Sequence, residues 1–124
     1  MEESLFDQVG GESFFVRLVD AFYGAVESDE TLRPMYPDDL TDARRHLTMF
    51  LIQYWGGPRT YQEERGHPRL RMRHAPFRVT KTARDAWLAA MNGALQSVRD
   101  ELNDEQFEEL TSYFTMAANQ LRNV

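Results

Sequence analysis

The chain has 124 residues, no cysteine and a formal net charge of −6 at pH 7. This length is typical of one domain with one core. The acidic balance argues against general nucleic-acid binding, and the missing thiols exclude disulfides and thiolate metal sites. We find no signal segment at the start and no apolar run near the roughly 18 residues of a membrane span. We therefore expect a single soluble, cytoplasmic domain over residues 1–124.

Apolar spacing predicts two long helices in the first half of the chain. Aromatic and aliphatic residues recur at steps of three and four over residues 12–28, which is typical of an amphipathic helix. A pair of glycines separates this helix from a short opening turn at residues 4–9. The next helix is predicted to begin near Thr41 and to stop at the Gly-Gly-Pro sequence of residues 56–58.

The second half continues the helical pattern after a break. A polar segment to about Arg69 is expected to lack regular structure. A short helix is predicted over residues 70–74, because the proline at 76 pushes the preceding residue out of the helical region. A capping-box variant at residues 82–85 is expected to open the next helix, and Asn103 to cap the last one. No stretch alternates with period two, so we predict an all-α fold.

The sequence RGHPRLRMRH at residues 65–74 carries the strongest chemical signal. Residues 59–84 hold eight of the fourteen Lys and Arg residues, opposed by two glutamates. His67 and His74 have no third ligand beside them in the sequence, which disfavours a protein-only zinc site. A lone histidine suffices where the metal brings further ligands, as haem iron does; otherwise His74 caps its helix. Haem carries two propionates, and Arg73, next to His74, suits a contact with one of them because its guanidinium group matches a carboxylate. Most of the other arginines fit a solvated surface.

Three aromatic residues with polar tips lie within otherwise apolar patterns: Tyr23, Tyr36 and Trp87. Each taken alone fits a core position whose polar tip finds a partner. If the three converge on one cavity, they supply three hydrogen-bond donors to a bound ligand. The residues by themselves leave both interpretations open.

Taken together, the motifs resemble those of the truncated haemoglobins of the second group. The resemblance spans nearly the whole chain and rests on VGG at 9–11, FY at 22–23, YP at 36–37, MFLIQYWGGPRTY at 49–61, GHPRLRMRHAPF at 66–77 and RDAWL at 84–88. It implies a two-over-two helical sandwich around haem b, with a mostly irregular segment before the proximal histidine.

The resemblance also implies the site residues. His74 matches the proximal iron ligand, and Tyr23, Tyr36 and Trp87 match the donors on the distal side. Apolar residues of the distal pocket are expected at Phe22, Ala43, Leu47, Phe50 and Leu51. Further haem contacts are expected at Met35, His46, Tyr61, Leu70, Arg73, Phe77, Val79 and Met91, with His46 facing a propionate.

The implied function is reversible binding of O2 and other small ligands (CO, NO, water or hydroxide, small anions) at the sixth iron position, with high affinity and slow release. The alternative is a haem redox enzyme, either a nitric oxide dioxygenase or peroxidase-like. That activity requires a separate reductase, because the chain has no flavin or nicotinamide domain. A third hypothesis is a haem-free adaptor that binds an acidic partner through the basic segment. The sequence leaves the physiological ligand and homo-oligomer formation open.

Overall fold

The computed structural model describes residues 3–124 and contains helices and turns but no strand within that range. The helices are α1 (Leu5–Gln8), α2 (Glu12–Ser28), α3 (Thr41–Tyr54), α4 (Thr60–Arg65), α5 (Leu70–His74), α6 (Lys81–Ser97) and α7 (Asp104–Leu121). Short 3-10 turns lie at Arg33–Met35 and Arg99–Glu101. The predicted all-α fold is confirmed. None of the helices in the described part of the chain combines the length and apolar character needed to cross a membrane.

Helix α2 is the centre of the packing. It contacts α3 on one side and α6 on the other, and α6 also contacts α7, which gives the expected two-over-two arrangement. Its apolar stripe is buried because it meets both neighbours at once. The side chains with no exposed surface on this helix are Phe14, Phe15, Leu18, Val19, Phe22 and Val26.

The turn after α3 requires its two glycines. Gly56 has φ +103°, a conformation that side-chain-bearing residues rarely adopt. A Cβ on Gly57 would lie 2.6 Å from Ile52 Cγ2 and 2.7 Å from Phe6. The close approach brings α1 against the end of α3, where the Phe6 N–H donates to the Trp55 carbonyl at 3.0 Å.

Three expectations from the sequence are wrong. Ala75 keeps helical dihedral angles (φ −55°, ψ −37°) before the proline at 76, because its N–H continues the turn by donating to the Met72 carbonyl at 3.3 Å.

The other two errors concern α4 and the start of α6. The segment expected to be irregular contains α4, whose start is held by α3, because the Gln53 side chain accepts from the Gln62 N–H at 2.9 Å. Helix α6 is capped by Thr80, whose hydroxyl accepts from the Ala83 N–H, and not by a box beginning at Thr82. Thr80 is extended, as an N-cap requires. The predicted cap at Asn103 is confirmed as a capping box with Gln106.

Candidate functional site

His74 is the last residue of α5 and is half-buried. Its Nδ1 lies 2.7 Å from the Leu70 carbonyl oxygen, one turn earlier on the same helix. Because a carbonyl oxygen only accepts hydrogen bonds, Nδ1 carries the proton and donates. In the neutral ring, Nε2 is then the nitrogen with the free lone pair, and the histidine is oriented as metal-bound histidines usually are.

The loop before His74 is held by the neighbouring arginine. Arg73 donates from Nε to the Pro68 carbonyl at 2.8 Å and from Nη2 to the Arg65 carbonyl at 2.9 Å. The loop contains a left-handed residue, Arg69, with φ 46°, a conformation that costs non-glycine residues free energy. Arg73 therefore stabilises a strained entry into α5. Its expected contact with a propionate stays a prediction. Nη1 is the guanidinium nitrogen that would make this contact, because Nε and Nη2 bind the two carbonyls.

The three aromatic residues with polar tips come together from three parts of the fold. Tyr23 lies on α2, Tyr36 follows the first 3-10 turn, and Trp87 lies on α6. The rings of Tyr23 and Tyr36 meet edge-on with centroids 5.6 Å apart. The Phe22 ring lies 5.0 Å from that of Tyr23 and 5.4 Å from that of Trp87. The three polar aromatics therefore form one cluster around Phe22, which we call the distal cluster.

Burial controls the charge state of the distal cluster. It raises the pKa of the Tyr36 phenol to about 12, while hydrogen bonding with Trp87 acts in the opposite direction. It also raises the pKa of Tyr23, with a further increase from Tyr36 and a small opposing effect of the Arg44 cation. Both phenols therefore stay protonated at neutral pH and remain able to donate hydrogen bonds.

The apolar residues expected at the site differ in how deeply they lie. Ala43, Leu47 and Phe50 share one face of α3 and are only partly buried. Met35 and Leu70 are likewise half-buried, and Phe77 is 52% exposed. The expected contact residues that are buried are Phe22, Leu51, Tyr61, Val79 and Met91. The face of α3 that carries Ala43, Leu47 and Phe50 is thus the apolar surface that remains accessible beside the core.

Comparison with known proteins places this arrangement in a family. A family model described as bacterial-like globin matches residues 4–120. The chain belongs to the bacterial-like globins. This globin is 49% identical over 88 residues to "Group 2 truncated hemoglobin YjbI" of Bacillus subtilis (strain 168), a match that covers 71% of the chain and 67% of that relative.

Solved structures support the same assignment. The hemoglobin of the thermophilic phototrophic bacterium Chloroflexus aurantiacus matches with a TM-score of 0.95 and 46% identity, covering 99% of this globin and 100% of that chain. The truncated oxygen-avid haemoglobin of Bacillus subtilis matches with a TM-score of 0.91 and 40% identity, covering 98% of this globin and 100% of that chain. The resemblance to truncated haemoglobins of the second group is therefore confirmed.

Globins of this family hold haem b and bind small ligands such as O2, and this chain is one of them. The donor set at one end of the site fits a group that carries carboxylates. The guanidinium groups of Arg65 and Arg73 lie 5.8 Å and 6.0 Å from the centre of the Tyr61 ring. The Arg65 Nη1 also lies 3.0 Å from Nε2 of the His46 ring. Burial lowers the pKa of His46, and the nearby Arg65 charge lowers it further. We call Arg65, Arg73, His46 and Tyr61 the cationic cluster.

Arg65 is a site candidate that the sequence interpretation missed. It is the last residue of α4, and it went unrecognised because that helix was expected to be an irregular segment. Its Nε is buried without a hydrogen-bond partner among the described residues. Arg65 lies nineteen residues after His46 in the sequence. The two side chains come into contact only because α4 folds against α3.

The remaining basic residues do not share this environment. Arg84 bonds to Asp85 and to Asn119 on α7, and Arg69, Arg71, Arg78 and Lys81 are exposed. His67 is also exposed, and within residues 3–124 no group of three histidine or acidic side chains could hold a metal ion. The basic segment is therefore divided between the cationic cluster and solvated surface.

The raised phenol pKa values predict a loss of stability at alkaline pH. The folded-state pKa of Tyr36 lies near 12, above its ordinary value of 10.0, so ionisation favours the unfolded chain. The protonated Tyr36 phenol contributes its full stabilisation of the folded state below pH 10, and this stabilisation is lost as the pH approaches about 12. Tyr36→Phe should therefore lose stability less steeply than the parent over this interval, as measured by denaturant unfolding at fixed pH values. Parallel curves for the two proteins would contradict the assignment.

Proposed function

We propose that this globin binds O2 and other diatomic ligands reversibly, with high affinity and slow release. His74 is the proximal ligand of the haem iron, and Tyr23, Tyr36 and Trp87 stabilise the ligand on the opposite side. The observation that carries the proposal is the distal cluster, in which three elements bring two protonated phenols and an indole together. We also propose that residues 1–124 form one domain, because their buried side chains make one continuous core.

His74 would hold haem b through Nε2, and the bound haem iron would supply the capacity to bind a small ligand. Each neutral hydrogen bond to that ligand contributes about 0.5–1.5 kcal/mol net. Three donors acting together would slow release by roughly ten- to a thousandfold, at about 1.4 kcal/mol per tenfold change. The buried surroundings strengthen the bonds and keep competing water out. One structural relative is described as oxygen-avid, which supports the same property here.

The cationic cluster supports an orientation for the haem. Arginine guanidinium groups match carboxylates in geometry and charge. Arg65, Arg73 and His46 converge beside Tyr61. Of the carboxylates close enough to interact with His46, Glu64 is bound by Arg45 with two contacts of 2.7 Å, and Asp42 is exposed. We propose that the propionates lie at this cluster. The apolar face of α3 that carries Ala43, Leu47 and Phe50 then covers the distal side.

The role of His74 can be tested by removing its side chain. His74→Ala should lose the Soret band of the haem-reconstituted protein, because no other nitrogen replaces Nε2, and added imidazole should restore part of it. His67→Ala is the matched control, since His67 is exposed, and it should keep the parent spectrum. A normal five-coordinate spectrum in His74→Ala would refute the assignment.

The distal donors can be tested by ligand release. Trp87→Phe keeps an aromatic ring but removes the indole N–H, so O2 release measured by stopped flow should accelerate roughly two- to tenfold. Trp55→Phe is the matched control, because the Trp55 Nε1 is buried without a hydrogen-bond partner among residues 3–124. Its release rate should equal that of the parent. An unchanged rate in Trp87→Phe would remove this residue from the donor set.

A second candidate function, peroxidase-like oxidation, is favoured by a row of aromatic rings. The Trp87 ring lies 5.9 Å from Phe114, Phe114 lies 5.4 Å from Tyr113, and Tyr113 lies 4.2 Å from Tyr54. Tyr54 is 48% exposed. Closely spaced rings support electron transfer from a surface residue to the site. In this reaction hydrogen peroxide accepts two electrons and two protons and is reduced to two molecules of water. Two molecules of a phenolic reductant are oxidised, and each supplies one electron and one proton.

The peroxidase-like candidate predicts a selective defect. Tyr54→Phe should oxidise a bulky phenol several-fold more slowly in the presence of peroxide, because phenylalanine is not readily oxidised and the bulky substrate reacts at the surface. O2 binding by the same variant should match that of the parent and serves as the control. Equal rates of phenol oxidation would eliminate Tyr54 as the surface oxidation point.

A further inference from the structure

The chain segment that follows His74 is bonded to a single residue from the other end of the fold. Asn123 lies two residues after the end of α7. Its N–H donates to the Val79 carbonyl at 3.0 Å, and its Oδ1 accepts from the Val79 N–H at 2.9 Å. Its Nδ2 donates to the Phe77 carbonyl at 2.9 Å and to the His74 carbonyl at 3.4 Å. Within residues 3–124, Asn123 makes every hydrogen bond between a side chain and the main chain of residues 74–79.

Helix α5 needs such support because it has only five residues. A helix this short is not stable on its own in water, so contacts outside it must set its direction. On its N-terminal side, Arg73 binds the carbonyls of Pro68 and Arg65. On its C-terminal side, Asn123 supplies the corresponding bonds. The exposed surface of Asn123 and Phe77 shows that packing alone does not hold this side.

We propose that Asn123 is a positioning residue for His74, which sets how firmly the histidine holds the haem iron. The inference rests on the proposed role of His74 as the iron ligand. The bonds to the His74 and Phe77 carbonyls restrain rotation of α5 about its axis, and this rotation would swing Nε2 away from the iron. Loss of these bonds should weaken the iron–histidine bond and accelerate haem loss while leaving the distal cluster unchanged.

The test compares two asparagine substitutions near the end of the chain. Asn123→Ala removes the three side-chain bonds to residues 74–79, whereas Asn119→Ala makes the same chemical change about one turn earlier, where the side chain bonds to Arg84 on α6. Haem transfer to an excess of an apo-globin acceptor should be about tenfold faster for Asn123→Ala, because the three lost bonds lie at or near the surface and each contributes at the low end of the usual range. Asn119→Ala should transfer haem at the parent rate.

A spectroscopic measurement separates positioning from general stability. The iron–histidine stretching frequency of the reduced protein, measured by resonance Raman, should fall in Asn123→Ala and stay at the parent value in Asn119→Ala. Asn123→Asp keeps the Oδ1 acceptor for Val79 but loses the donors to the Phe77 and His74 carbonyls. It should lose haem at least as fast as Asn123→Ala, because the new carboxylate oxygen faces the Phe77 and His74 carbonyl oxygens and is repelled by them. Thermal unfolding of each apo-protein confirms that the variants are folded before comparison.

The outcomes distinguish this inference from the proposed function. Faster haem loss in Asn123→Ala with an unchanged stretching frequency would make the residue a structural contact and overturn the inference. Equal haem loss in Asn123→Ala and Asn119→Ala would overturn it as well, while loss of the Soret band in His74→Ala would leave the proposed function intact. A normal Soret band in His74→Ala would overturn both.

Discussion

The hydrogen bond from His74 Nδ1 to the Leu70 carbonyl is the interaction on which the proposed iron ligand depends. It selects the tautomer, and it aims Nε2 away from the helix that carries the ring. Yet both partners lie on a five-residue helix, so the bond orients the ring only relative to α5. The direction of α5 is set by its surroundings, through the bonds of the Arg73 side chain to the segment before the helix and through Asn123 after it. The position of His74 Nε2 therefore depends both on the local bond to Leu70 and on the contacts that orient α5.

The distal side follows a different physical rule. Its donors are uncharged, and burial keeps them so by raising the pKa of both phenols. A charged donor there would have to be desolvated at high cost, whereas phenols and an indole bury large apolar rings and retain one polar tip. The guanidinium groups of Arg65 and Arg73 lie instead at the cationic cluster, and the Arg44 cation near the Tyr23 ring is paired with Asp20 and Glu27. The neutral donors are thus set apart from the cationic cluster, which suits a flat cofactor with carboxylates at one end.

Sequence reasoning succeeded where the information is local. The stripe of α2 repeats over five turns, and its predicted limits agree with Glu12–Ser28. The glycines and the proline that end α3 act within a few residues, so their effect can be predicted without the fold. The same reasoning gave the right end for α5 but the wrong conformation for Ala75, which stays helical before Pro76. It failed at α4, because that helix is fixed by Gln53 and by burial of Tyr61. The error carried forward to Arg65, the residue at the end of α4.

The sequence by itself determined the all-α class, most helix limits and the candidates for the iron ligand and the distal donors, because periodicity and turn residues act over short distances and the motifs are specific. Only the tertiary structure decided which side chains meet. Tyr36 and Trp87 lie fifty-one residues apart in the sequence, and His74 and Asn123 forty-nine. Contacts over such separations depend on how helices pack against each other. That packing is a property of the whole core, which no local pattern specifies.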